Sequence, residues 1–194
     1  MYRINSIYWT IQGEGQFTGS PCVIVRMSGC NLWSGKEADR ASAVCRFCDT
    51  DFRVQTVMSA EDILTGVRNL PPAEFVLVTG GEPALQFDLH LLNAFRDHGL
   101  RVHLETNGTI PLAARPDWVT VSPKAGTKII VSPDELKVVL PQEGLDLATL
   151  PDCEIRSVQP LHNDPNATAV CVSFIRSNPR WRLSVQTHKL IDTP

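Results

Sequence analysis

Residues 75–105 read FVLVTGGEPALQFDLHLLNAFRDHGLRVHLE, and this stretch decides the fold class. Phe75 to Thr79 is a short run rich in β-branched and leucine side chains, and it stops at Gly80, Gly81 and Pro83, the punctuation expected where a strand ends. A helix is expected from Ala84 to His98, with Leu85, Leu89, Leu92 and Phe95 on one face and Gly99 just past its end. Arg101 to Glu105 is strand-like again. Strand, helix and strand at this spacing make a βαβ unit, and βαβ units make a mostly parallel sheet.

The pattern continues in both directions. Cys22 to Met27, Trp118 to Ser122, Glu135 to Leu140, Glu154 to Gln159 and Arg182 to Gln186 read as further strands. Ser59 is placed to cap a helix in which Ile63, Leu64 and Val67 keep helical spacing, and a third helix is expected from about Asn166 to Arg176, carrying Ala169, Val170 and Val172. Too few residues separate Ser122 from Glu135 for a crossover helix. The expected architecture is therefore a single-domain α/β fold spanning residues 1–194, an abbreviated, incomplete (β/α) barrel of mostly parallel strands. A full eightfold barrel typically needs ~250 residues. Asn31 to Val44, with Lys36, Glu37, Asp39 and Arg40, reads as an insertion: a solvated loop with some helix.

Composition narrows the class. With 43% hydrophobic and 20% charged residues among 194, the chain can bury a core and is not of the disordered kind. No apolar run approaches the ~20 residues of a membrane span. Arg3, Asn5 and Ser6 break the first apolar stretch, so no signal peptide is read, and a cytoplasmic protein is expected. A net charge of −3 argues against nucleic acid as a partner. Six cysteines in such a chain are not a disulfide framework. Cys153 and Cys171 sit in apolar surroundings, where a thiol acts as a small hydrophobe.

Cys30, Cys45 and Cys48 follow the first of these strands with the spacing C-x14-C-x2-C. Thiolates suit a soft metal centre. A structural zinc ion would want a fourth protein ligand, but Cys22 belongs to the opposite end of the strand, and no histidine lies between Cys22 and Cys48. Three ligands and an open position suit a catalytic cluster, while a zinc-binding module remains the alternative. In Gly80-Gly81-Glu82-Pro83 the glycines let backbone approach a ligand, and Glu82 can accept from an ammonium group.

Further strings occur in order: Tyr8-Trp9-Thr10-Ile11-Gln12-Gly13-Glu14-Gly15, Arg26-Met27-Ser28-Gly29-Cys30-Asn31-Leu32-Trp33, Cys45-Arg46-Phe47-Cys48-Asp49-Thr50, Glu105-Thr106-Asn107-Gly108, Val121-Ser122-Pro123-Lys124 and Ser184-Val185-Gln186-Thr187-His188-Lys189. Together they resemble the 7-carboxy-7-deazaguanine synthase family of the radical S-adenosylmethionine superfamily, from Ile7 to Pro194. The superfamily's common motif is C-x3-C-x2-C. This chain keeps the second gap and the aromatic Phe47, and lengthens the first gap as some members of the family do.

The resemblance implies conversion of 6-carboxy-5,6,7,8-tetrahydropterin to 7-carboxy-7-deazaguanine with loss of ammonia, on the route to queuosine and other deazapurines. A 5′-deoxyadenosyl radical would take a hydrogen from C6 of the pterin and later return it. A [4Fe-4S] cluster is implied on Cys30, Cys45 and Cys48, with Mg2+ at Thr50. S-adenosylmethionine is implied at Phe47, Asp49, Gly81, Glu82, Ser122, Pro123, Lys124, Gln159, Pro160, Leu161 and His162. The pterin is implied at Ile11, Gln12, Gly13, Glu14, Arg26, Thr79, His188 and Pro194, the last in a segment 182–194 that closes the substrate pocket. Chemically, Gln and backbone amides suit a flat heterocycle, Arg26 a carboxylate, and Thr50 a cation that keeps most of its waters. Taken alone, Lys124 is a solvated lysine, Thr50 a local cap and His188 a core histidine. The resemblance also implies a homodimer and a reducing partner such as flavodoxin or ferredoxin. A compact activase that installs a glycyl radical on another enzyme is the other radical reading, though it has little use for Gln12 and Arg26.

Overall fold

The computed structural model describes residues 1–191 and Thr193. Its strands are β1 (Tyr2–Ile11), β2 (Pro21–Met27), β3 (Thr56–Met58), β4 (Phe75–Gly80), β5 (Val102–Thr106), β6 (Trp118–Val121), β7 (Glu135–Leu140), β8 (Ile155–Pro160) and β9 (Arg182–Leu183). They form one nine-stranded sheet in the order β3-β1-β2-β4-β5-β6-β7-β8-β9. From β2 to β9 all neighbours pair parallel, while β1 runs antiparallel to both β2 and β3. The sheet does not close, as expected of an incomplete barrel.

Three helices cover one face: α1 (Ala60–Arg68), α2 (Leu89–Arg96) and α3 (Ala167–Ser177). Ser59 and Asp62 cap each other's backbone at the start of α1, leaving Ile63, Leu64 and Val67 buried against the sheet. Strand periodicity splits the rest. Val25, Val78 and Leu104 are buried toward α1 and α2, and Val138 and Val158 are buried with Cys171 of α3. Each such side chain contributes about 1.5–3 kcal/mol of burial. The alternate positions, including Arg26, Thr79, Glu105, Lys137 and Gln159, face the interior of the curled sheet. Phe17, Phe75, His103 and Trp118 stack into an aromatic floor there, with His103 3.9 Å from the Phe75 ring.

Several expectations need correcting. Ala84 to His98 is not one helix. The Glu82 carboxylate accepts from Ala84 N and starts a short 3-10 turn, and α2 begins only where Asp88 accepts from Leu91 N. Leu85 and Leu89 are consequently exposed, and Leu91, Leu92 and Phe95 form the buried face. In α3, Ala169, Val170 and Val172 point outward, while Ala167 and Cys171 are buried. The last strand is only two residues long. β1 and β3 were not legible as strands. The connection between β6 and β7 has no helix, as its length required, and the 31–44 insertion carries a 3-10 turn at Glu37–Ser42.

Candidate active site

The strand ends and the loops after them enclose a cavity of about 740 Å3. Cys30 enters it just beyond β2. The chain then leaves and returns, because Leu32 O accepts from both Val44 N at 3.1 Å and Cys45 N at 3.3 Å. Cys45 and Cys48 thereby line the same cavity as Cys30 despite the long gap between them. Hydrogen bonding between the Cys45 and Cys48 thiols draws Cys48 down to about 6 and pushes Cys45 up, and burial raises Cys30. Among the described residues no group of three or more His, Cys, Asp or Glu is arranged to hold a single metal ion.

Next to the thiols, the glycine turn after β4 packs against the turn after β2. A Cβ on Gly81 would lie 2.1 Å from Gly29 O and 3.1 Å from Cys30 Cβ, so only glycine lets the backbone come this close. Lys124 Nζ donates to Ser122 O at 2.8 Å and sits 5.9 Å from the Phe47 ring centre. Burial lowers the pKa of this lysine, and the neighbouring thiols oppose that shift. Glu82 behaves otherwise than expected. Its fully buried carboxylate accepts from Ala84 N, Thr106 Oγ1 at 2.6 Å and Asn107 N at 2.7 Å, pinning the turn after β4 to the end of β5, and it does not line the cavity. Burial raises its pKa against those three donors.

On another part of the wall, the segment after β1 crosses the open side of the sheet. Gly15 N donates to Ser184 Oγ at 2.8 Å, and Thr187 N donates to Gly13 O at 2.9 Å. Within this crossing Glu14 meets Lys137 of β7 at 2.5 Å, and Lys137 also reaches Glu105 of β5 at 3.1 Å. Burial alone would raise the Glu14 carboxyl, but the Lys137 ammonium holds it at about 2. Gln12 Nε2 donates to Glu105 Oε1 at 3.2 Å, and Arg26 Nη2 donates to Tyr8 Oη at 2.8 Å. Lys189 Nζ donates to Asp49 Oδ2 at 2.8 Å and so ties the carboxy-terminal segment to the cysteine loop.

The cavity gathers Cys30, Cys45, Cys48, Phe47, Asp49, Thr50, Gly81, Ser122, Lys124, Gln159, Pro160, Leu161 and His162. It also gathers Ile11, Gln12, Gly13, Glu14, Arg26, Thr79 and His188. Of the residues singled out in the sequence, Glu82 and Pro123 lie outside its lining, and Pro194 lies outside the described residues. Sequence reasoning missed Lys137, which lines it too, and quoted Tyr8, Glu105, Gln186 and Lys189 without giving them a role. A signal for Lys137 existed: Glu135-Leu136-Lys137 puts two charges on one side of an otherwise apolar strand, which happens when that side faces a polar interior.

A family model for the Radical SAM superfamily matches residues 38–137. The 7-carboxy-7-deazaguanine synthase of Burkholderia multivorans is 43% identical over 100% of this chain and 99% of its own, and that of Caulobacter vibrioides is 44% identical over 100% and 99%. The chain belongs to the 7-carboxy-7-deazaguanine synthase family. The crystal structure of QueE from Escherichia coli superposes with a TM-score of 0.75 at 31% identity, covering 96% of this chain and 94% of that one. Membership makes the chain a radical S-adenosylmethionine enzyme of deazapurine synthesis, with S-adenosylmethionine and a [4Fe-4S] cluster as cofactors and a small-molecule substrate and a reductant as partners. The residues fit the group this family carries. Three thiols share one cavity, the glycine turn packs directly against the Gly29–Cys30 backbone and lines the same cavity, and a buried lysine supplies positive charge. The zinc-module and activase readings lose their support.

Proposed function

We propose that the cavity binds 6-carboxy-5,6,7,8-tetrahydropterin beside S-adenosylmethionine and directs its ring contraction to 7-carboxy-7-deazaguanine and ammonia. The observation that carries this is the wall that shares the cavity with the thiols: Glu14, Lys137, Glu105, Gln12 and Arg26. When bound, the cluster and S-adenosylmethionine supply the radical chemistry. The chain supplies binding, orientation and exclusion of water. Glu14 and Glu105 are carboxylates held in place by Lys137, and they offer acceptors to the aminopyrimidine edge. Arg26, steadied by Tyr8, clamps the substrate carboxylate. Cys30, Cys45 and Cys48 would hold the cluster, while Gly81, Ser122, Lys124 and Gln159 to His162 would border the nucleoside and methionine parts.

We further infer that Thr50 and the substrate carboxylate hold Mg2+, since this ion often takes one or two protein oxygens and keeps its waters. Residues 1–194 are read as one domain, with 31–44 as an insertion in the cluster loop and 182–194 as a closing segment. A cytoplasmic homodimer fed by flavodoxin or ferredoxin completes the reading. The dimer is supported by the exposed Val170, Val172 and Leu183 around α3 and the β9 edge, and the compartment by six free thiols. No helix among the described residues is long and apolar enough to cross a membrane.

The test uses anaerobically reconstituted protein with dithionite. Adding the carboxy-tetrahydropterin should redirect S-adenosylmethionine cleavage into pterin turnover, and Arg26→Met should raise KM for the pterin at least about tenfold, as expected for the loss of a charged hydrogen bond. Thr50→Ala should keep the cluster and lose the Mg2+ dependence. Cleavage of S-adenosylmethionine that is indifferent to the pterin would overturn the substrate assignment.

A further inference from the structure

The lengthened gap between Cys30 and Cys45 poses a physical problem, because a long loop leaves the second and third ligands on a flexible arm. The structure solves it within the insertion. Arg40 Nη1 donates to the carbonyl oxygens of Arg46 at 2.8 Å and Cys48 at 3.1 Å, the backbone on either side of Phe47. Arg40 Nε meets both Glu37 oxygens at 2.8 Å, which fixes the guanidinium plane. The guanidinium carbon lies 4.1 Å from the centre of the Trp33 ring. Trp33 packs edge-on against Phe52 at 5.6 Å, and both rings are buried and line the cavity. The base of the loop is closed by the two bonds that Leu32 O accepts.

We propose that Arg40 is a positioning residue for the cluster. It clamps the Cys45–Cys48 arm so that the long insertion presents its thiols as a short loop would. In a trans peptide the N–H points opposite to the C=O. With the carbonyls of Arg46 and Cys48 turned to Arg40, the amide N–H groups of Phe47 and Asp49 face away from it. Residues 47–49 all line the thiol cavity. Donors aimed at cluster sulfur are one of the means by which a protein sets the stability and potential of such a centre. A single neutral substitution at Arg40 thus removes two carbonyl anchors, a stack and an ion pair, without touching a ligand. The insertion thereby serves as an internal brace for the arm that carries Cys45 and Cys48.

The inference rests on the cluster reading above, and its test separates the two. Wild type, R40A, R40Q and a control variant of the same insertion, K36A, are reconstituted anaerobically. Each is followed by iron release to a chelator, by the EPR spectrum of the reduced cluster and by the Tm of the apo-protein. R40A should lose iron roughly 10–100-fold faster than wild type, the usual cost of losing a group that orients metal ligands. Its EPR signal should differ from that of wild type, and its apo-protein Tm should stay close. R40Q, which keeps a donor on a shorter side chain, should fall between and gives the same reading if R40A does not fold. K36A should match wild type. Equal release rates and spectra in R40A, R40Q and wild type would overturn the role of Arg40, as would equal acceleration in K36A. Wild-type protein that takes up no iron would overturn the cluster reading as well.

Discussion

Lys137 Nζ lies 2.5 Å from Glu14 Oε2, a buried contact that joins β7 to the segment following β1. Neither group would be stable there alone, since an unpaired charge out of water is costly and would titrate to its neutral form. Burial disfavours the ammonium, but Glu105 and Glu14 outweigh it and raise Lys137 above its ordinary 10.5. One ammonium thus keeps the Glu14 carboxylate charged and reaches Glu105 from the same position in the cavity wall.

Lys137→Met should therefore leave two carboxylates without their shared cation. Removing one partner of a buried pair costs about 3–5 kcal/mol. The variant should unfold at lower denaturant and bind the pterin weakly. The pH dependence follows in sign. Glu14 is held at about 2 against an ordinary 4.5, so its contribution is complete above 4.5 and fades only as pH falls through 2. The Lys137 contribution is complete below 10.5 and fades only as pH rises past its raised value. Pterin affinity in wild type should be level between pH 5 and 9, as far as these two groups govern it, while in the Met variant it should fall as the medium is acidified and the unpaired carboxylates take up protons. A variant with a level profile would show that Lys137 does not set these charges.

Gly13→Ala tests the seam between the segment after β1 and the carboxy-terminal segment. A Cβ there would lie 2.0 Å from His188 Nδ1 and 2.7 Å from its backbone N. His188 and the backbone bond from Thr187 N to Gly13 O cannot both be kept. Hydrogen exchange over residues 187–191 should accelerate, and KM for the pterin should rise, with cluster content unchanged. Unaltered exchange would mean that the seam tolerates the methyl group.

Cysteine substitutions should divide into two sets. Alanine at Cys30, Cys45 or Cys48 should abolish the visible absorbance of the reconstituted protein. Cys22→Ala and Cys171→Ala, both buried away from the cavity lining, should keep it. Loss of the chromophore in Cys22→Ala would add a fourth ligand to the account.

His103 is buried with its Nε2 unpartnered among the described residues, and burial, helped by Arg101, lowers its pKa to about 4 from an ordinary 6.5. The folded state then binds fewer protons than the unfolded chain between these values, so stability rises with pH across that interval. His103→Phe removes an unsatisfied group worth about 1–3 kcal/mol and continues the stacking on Phe75. It should raise Tm and flatten stability between pH 4 and 6.5. A lower Tm would show that the imidazole makes a contact that phenylalanine cannot replace.

The parallel core of the fold was readable because its strands are buried runs between clear breakers. β1 was not, although it is ten residues long. Its pairing with β2 shifts register between Ile4 and Ser6, and this irregularity spoils the alternation that marks a strand. β3 is three residues at the sheet edge, too short for any pattern. For the site, local strings located Cys45 to Thr50, Gly81 and Ser122 because each sits in one loop. The Glu14–Lys137–Glu105 group joins residues far apart in the chain, and only the curling of the sheet brings them together. Glu82 was legible as a motif member but not as a buried pin, since its three donors come from residues 84, 106 and 107.

The measurement that bears most directly on the whole account is an anaerobic time course with 6-carboxy-5,6,7,8-tetrahydropterin, S-adenosylmethionine, Mg2+ and a reductant, quantifying deazaguanine, ammonia and S-adenosylmethionine together. The account predicts equal molar yields of 7-carboxy-7-deazaguanine and ammonia, in many turnovers per S-adenosylmethionine lost, because the abstracted hydrogen is returned. Consumption of S-adenosylmethionine with the pterin recovered intact would contradict it.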